Sequence, residues 1–95
     1  MSDQQLLEQF IAGRGSERED AFAALVDRHR AMVWRVCRRI LADPNDAEDA
    51  FQVTFLVLAR KARSIARRSL VAQWLYGVAV RSSKEVKTRD RKSVV

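Results

Sequence analysis

Glycine and proline are scarce in these 95 residues, with three of the first and one of the second. So few breaks exclude a many-stranded β fold and leave long helices as the natural elements. Cysteine occurs once, at Cys37, so neither an internal disulfide nor a cysteine-based zinc site can be built, and a reducing compartment fits. Cys37 has no histidine or aspartate in a nucleophile pattern and reads as a small core or boundary residue. His29 is also alone, with no Glu-x-x-His context, and reads as a packed or half-exposed side chain. Gly13, Gly15 and Gly77 are too few and wrongly spaced for a phosphate-binding loop. No apolar run approaches the ~20 residues of a membrane span. The opening Met-Ser-Asp-Gln-Gln lacks the basic and then apolar layout of a signal peptide. These absences lead us to expect one cytoplasmic, soluble, non-enzymatic domain with no cofactor, no metal and no membrane insertion.

What the chain does have is charge, unevenly placed. Residues 1–59 hold seven basic and ten acidic side chains, a net of −3, whereas residues 60–95 hold eleven basic and two acidic, a net of +9. Hydrophobic residues make up 47% of the whole, enough for a core and too many for a disordered chain. A chain of this length folds as one domain and buries roughly 60–65% of its unfolded surface.

Caps and apolar spacing predict four helices, an all-α bundle. The first runs from about Asp3 to Ala12, with Ser2 and Gln5 in capping-box relation, Leu6, Leu7, Phe10 and Ile11 on one face, and Gly13 as the stop. A second box, Ser16 with Glu19, opens a long helix whose stripe is Phe22, Leu25, Val26, Met32, Val33, Val36 and Ile40. After the break at Ala42-Asp43-Pro44-Asn45, Asn45 is expected to cap a third helix that reaches about Ala62. That helix is apolar nearly all round, so it is central, has an external partner, or both. Ser69 is expected to cap a fourth helix from Leu70, with Val71, Trp74, Leu75 and Val78 inward and Arg81, Lys84, Thr88 and Arg91 on another face. Beyond Arg89 the polar run to Lys92 is expected to fray.

Asp46, Glu48 and Asp49 look like a ligand cluster but stand in the first turns of a helix, where the dipole accounts for them. The informative constellation is basic: Arg60, Lys61, Arg63, Arg67 and Arg68, then Arg81, Lys84, Lys87, Arg89, Arg91 and Lys92. Phosphates attract such density without reading sequence, which points to nucleic acid, with an acidic protein or membrane surface as the other polyanions. Trp74 and Tyr76 lie among these charges and suit the stacking of unpaired bases, although Trp74 is also in phase with the apolar stripe.

Asp46-Ala47-Glu48-Asp49-Ala50-Phe51-Gln52-Val53-Thr54-Phe55-Leu56, followed after a basic loop by Trp74-Leu75-Tyr76-Gly77-Val78-Ala79, closely resembles region 2 of extracytoplasmic-function (ECF) sigma factors. The resemblance extends from about Gln5 to Arg91. It implies a bundle that binds core RNA polymerase and recognises and helps melt the promoter −10 element during transcription initiation. In the family the third helix docks on the clamp helices of the largest polymerase subunit; the matching Asp-x-x-Gln here is Asp49 with Gln52, with Phe55 and Leu56 as apolar companions that core packing also claims. The loop before the fourth helix, about Arg63 to Ser69, corresponds to the pocket for a base flipped from the non-template strand. DNA contacts are thereby expected from Arg60, Arg63, Ser64, Arg67, Arg68, Trp74, Arg81, Lys84, Thr88 and Arg91. An anti-sigma factor is the implied regulator.

Three departures from the family pattern stand out. Arg81 occupies a place where many ECF members carry Asn, which leaves it to contact phosphate or a guanine edge. Leu75 follows Trp74 where primary sigma factors have a second tryptophan, so weaker intrinsic melting and a stricter promoter requirement are expected. Residues 1–92 are assigned to the region 2 domain and 93–95 to the start of a linker or a chain end, and no counterpart of the family's second domain, region 4, is present in the sequence. Two rival readings of the same residues are a stand-alone helical DNA-binding repressor and a basic helical adaptor for an acidic protein partner.

Overall fold

The computed structural model describes the backbone of residues 1–93 and the side chains of residues 1–89. The described residues form four α-helices and no strand: α1 (Asp3–Ala12), α2 (Ser16–Ile40), α3 (Pro44–Lys61) and α4 (Val71–Ser93), with 3-10 turns at Ala62–Ser64 and Arg68–Leu70 between α3 and α4. The expected all-α bundle is the fold found. The helix of residues 71–93 continues past Arg89, where fraying was expected.

The helix starts show where cap chemistry is legible and where the backbone overrides it. At α1 both halves of the expected box are present: the Gln5 amide donates to Ser2 Oγ at 3.1 Å and the Ser2 amide to Gln5 Oε1 at 2.8 Å. At α2, Ser16 is the first helical residue and not the cap. Gly15 holds the cap position at φ 55°, a left-handed conformation that glycine takes without a Cβ penalty, and no side chain caps the helix. At α3 the cap is Asp43 instead of Asn45: its Oδ1 accepts from the Asn45 amide at 2.8 Å, and Pro44 fills the first helical position, where a missing N–H costs nothing. Ser69 lies inside the second 3-10 turn, which feeds directly into α4 at Val71 without a hydroxyl cap.

α1 packs on α2, and α2, α3 and α4 pack on one another in pairs. Their inner faces supply Leu7, Leu25, Val33, Leu58, Val71 and Leu75, all fully buried. α1 is fastened to α2 at both ends. At its start, Arg28 donates to Asp3 Oδ1 at 3.0 Å and to the Met1 carbonyl at 2.6 Å. His29, buried as a packed side chain, brings Nε2 to 3.0 Å from Asp3 Oδ2 without hydrogen-bond alignment. At its end, Arg18 donates to the Phe10 carbonyl at 2.6 Å and lays its guanidinium 4.0 Å from the Phe10 ring centroid. Gly13 closes this corner, because a Cβ there would collide with the Gln9 carbonyl. Between α2 and α4 the Cys37 thiol is fully buried beside Ser83. Burial pushes its pKa above the ordinary thiol value, because desolvation disfavours the thiolate.

Candidate functional site

α3 packs on α2 along one flank and on α4 along the other, and it has hollows of different chemistry on either side. Its buried positions are Ala47, Ala50, Thr54, Phe55 and Leu58, and Thr54 spends its hydroxyl on the Ala50 carbonyl at 2.7 Å, so a polar residue enters the core satisfied. Asp49, Gln52 and Leu56 lie on the opposite, exposed arc. The seven-residue step from Asp49 to Leu56 returns a helix to nearly the same angle, which puts a carboxylate, an amide and a branched apolar group together.

The α2 side of this helix is aromatic and apolar. Phe51 stands edge-on to Trp34 at 6.0 Å and to Phe55 at 5.1 Å, forming a ladder from α2 across α3. Beside it lies a hollow of about 380 Å³ lined by Phe22, Val26, Phe51, Gln52, Phe55, Leu56 and Ala59. A second, of about 560 Å³, shares Phe51 and Gln52 and adds Arg30, Ala31, Trp34 and Glu48. Leu56 remains 57% exposed and Trp34 38%. Phe55 is only 6% exposed, so of the two apolar companions the core claims Phe55, which floors the hollow, and leaves Leu56 projecting. Trp34 was missed by sequence reasoning. The available signal was its phase: it falls outside the α2 stripe that carries Val33 and Val36.

The α4 side is cationic. A hollow of about 390 Å³ lies between the C-terminal half of α3 and the N-terminal half of α4, with Val53, Val57 and Val78 as its apolar wall and Lys61, Ser64, Trp74 and Arg81 around it; Ser82 and the single acid Glu85 complete the lining. Trp74 is half-buried, packed on the core while still lining the hollow, so both readings of this residue apply at once. A further hollow continues along α4 past Lys84, Thr88 and Arg89.

The basic residues expected to touch DNA do not all gather here. From the segment Arg63 to Ser69, only Ser64 lines the α3–α4 hollow. Ala62 and Ile65 are buried and pin the segment to the core. The Arg63 guanidinium turns the other way and donates to the Ile11 carbonyl of α1 at 3.4 Å. Arg60 and Arg67 are exposed and Arg68 is half-buried. Ser64 donates to the Lys61 carbonyl at 2.7 Å and Thr88 to the Lys84 carbonyl at 2.9 Å, so each hydroxyl keeps only its acceptor capacity for a ligand. Arg81 and Lys84 are exposed on α4; the side chain of Arg91 lies outside the described residues. Lys61, absent from the expected DNA contacts, lines the hollow beside Ser64, Trp74 and Arg81.

Electrostatics separate the two ends further. Ion pairs between described residues join Arg28 to Asp3 at 3.0 Å and Arg30 to Asp27 at 3.7 Å. Neither involves a basic side chain between Arg60 and Arg89, so that charge is available to an external polyanion. Among the described residues no three potential metal-binding side chains converge, and no helix is long and apolar enough to cross a membrane.

Residues 25–93 match the family described as Sigma-70 region 2. The match covers α3, α4 and most of α2, and leaves α1 outside it. Neither the curated proteins nor the solved structures searched contain a match.

Proposed function

Because the chain belongs to the Sigma-70 region 2 family, a non-enzymatic transcription-initiation domain that binds core RNA polymerase and recognises the promoter −10 element, we propose a division of those two tasks between the two sides of α3. The polymerase side is the exposed arc of Asp49, Gln52 and Leu56 together with the aromatic hollow toward α2. The DNA side is the hollow of Lys61, Ser64, Trp74 and Arg81 together with the outer face of α4. The observation that carries this reading is the contrast itself: one hollow is bounded by Phe22, Phe51, Phe55 and Leu56, the other by two cations, one acid and a tryptophan.

The chemistry fits each task. A protein helix docks on apolar side chains that are already exposed, while Asp49 supplies a partner for a basic side chain and Gln52 both donates and accepts. Unstacking a base costs a few kcal/mol, and stacking it on an aromatic ring returns about 1–3 kcal/mol. Trp74 offers such a ring, and Lys61 and Arg81 offer charge for the flanking phosphates. Melting assisted in this way is driven by binding alone. We further assign the chain to the ECF type, with residues 1–92 acting as one region 2 domain and an anti-sigma factor as its regulator. α1 belongs to that unit because Leu6, Leu7 and Phe10 are part of the common core.

The test is capture of core polymerase by the parent chain and by Asp49→Ala, followed by binding of a single-stranded −10 oligonucleotide over a salt series. The reading expects Asp49→Ala to capture polymerase more weakly and to keep the oligonucleotide. Equal polymerase capture by both proteins would remove Asp49 from the interface. Tight duplex binding without polymerase would favour a repressor, and no nucleic-acid affinity at low salt would favour an adaptor.

A further inference from the structure

Two of the three glycines have duties inside the fold, and the third has none. Gly15 takes a positive φ, and Gly13 has no room for a Cβ beside the Gln9 carbonyl. Gly77 has neither excuse. Its φ is not positive, and a Cβ built on it would meet only Arg81 Nη1, at 4.0 Å, an ordinary contact with the end of a flexible side chain. It nevertheless sits within α4, where glycine is among the poorest helix formers because its backbone loses the most freedom on folding. Alanine would serve the helix better and would touch nothing it could displace.

Its position on the helix suggests what the missing side chain is for. At about 100° per residue, Gly77 lies within about 40° of Arg81, Lys84 and Thr88, in the middle of the exposed basic arc of α4. Arg81 and Lys84 are both exposed there, and Trp74 is one turn toward the helix start. A helix bare of Cβ at the centre of a cationic face lets another chain approach its backbone more closely than any other residue permits.

We propose that Gly77 is a close-approach site for the sugar–phosphate backbone of a DNA strand, which lies against the α4 main chain there with Arg81 and Lys84 engaging its phosphates. The inference rests on the reading of α4 as the DNA side. It adds that one residue on that side acts by absence, since a methyl group at Gly77 would push the strand away from both cations.

Gly77→Ala and Gly77→Leu test this against the parent chain and Lys84→Ala. Thermal unfolding, polymerase capture, and binding of a mixed-sequence single-stranded oligonucleotide and its duplex are measured for each. Gly77→Ala is expected to raise the melting temperature by about 3–6 °C. It is expected to weaken DNA binding about tenfold, as a methyl group forced into a close contact does, with Gly77→Leu weaker still and polymerase capture unchanged for both. A variant that gains stability and loses its ligand cannot be explained by damage to the fold. DNA affinity equal to the parent's in both Gly77 variants, with Lys84→Ala weakened, overturns the close approach and leaves the DNA side standing. A parent that binds no DNA overturns both. A lowered melting temperature for Gly77→Ala would show a structural duty, and loss of polymerase instead of DNA would give the face to a protein; either result overturns the proposal.

Discussion

The two sides of α3 are built from one helix and yet present opposite chemistry. Toward α2 the helix offers Phe51, Phe55 and Ala59, and α2 answers with Phe22, Val26 and Trp34. Toward α4 it offers Val53, Val57 and Lys61, and α4 answers with Trp74, Arg81 and Glu85. The difference shows that a helix apolar on nearly every face need not be surrounded. Its inner arc is fully covered by core, and each flank keeps an open hollow whose character the neighbouring helix decides.

The severest way to break the comparison is to remove what both sides share. Leu58 is fully buried on the inner arc, so Leu58→Ala should cost about 2–5 kcal/mol of stability, seen as a lower midpoint in chemical denaturation, with both binding activities lost together. A smaller and one-sided effect is expected at Asp49. Asp49→Ala should weaken polymerase association about tenfold, read from a titration of labelled core enzyme, and leave the oligonucleotide affinity within error of the parent. The mirror-image change is Lys84→Ala. It should weaken DNA binding a few-fold and lower the slope of log affinity against log salt by roughly 0.7–0.9, the signature of one phosphate contact removed, with polymerase capture intact. If either variant affects both ligands equally, the two sides are not separate sites.

The smallest effect concerns the seam that holds α2 to α4. The folded Cys37 thiol keeps its proton to higher pH than the unfolded one, because burial disfavours the thiolate. Its contribution to stability is therefore complete below the unfolded thiol's pKa and is lost as pH rises toward the folded value. Melting temperatures taken between about pH 8 and 10 should fall less steeply for Cys37→Ala than for the parent, while both hollows keep their ligands.

Much of this architecture can be read from residue order. The Ser2–Gln5 box, the break around Pro44 and the α2 stripe place α1, α2 and α3 within a residue or two, because local hydrogen bonding and periodicity are properties of short segments. The cap errors share a cause. Ser16, Asn45 and Ser69 are all good capping residues, but the chain's path was set by Gly15 at positive φ, by Pro44 at the first helical position, and by a 3-10 turn that needed no cap. Side-chain direction was harder. Nothing in the run Phe51 to Leu56 says that Phe55 is covered and Leu56 is not, since each has an apolar neighbour three or four residues away. Arg63 looked like its basic neighbours until α1 offered it the Ile11 carbonyl.

The family resemblance rests on Asp49, Gln52 and the segment Trp74 to Ala79, which are contiguous in sequence and therefore legible. The hollows are not contiguous. Each takes its lining from two or three elements far apart in the chain, so neither Trp34 nor Lys61 could be placed beside its partners before the helices were packed.

The sequence by itself determined that the chain is helical, that positive charge gathers in its last 36 residues, and that the motifs of one family are present, because composition, periodicity and spacing are carried by neighbours along the chain. Only the tertiary structure decided which side of α3 is aromatic and which is cationic, which of two adjacent apolar residues projects, and that Gly77 has space in front of it. Those depend on which helix lies next to which, and the packing of distant segments sets that, beyond the reach of any local pattern.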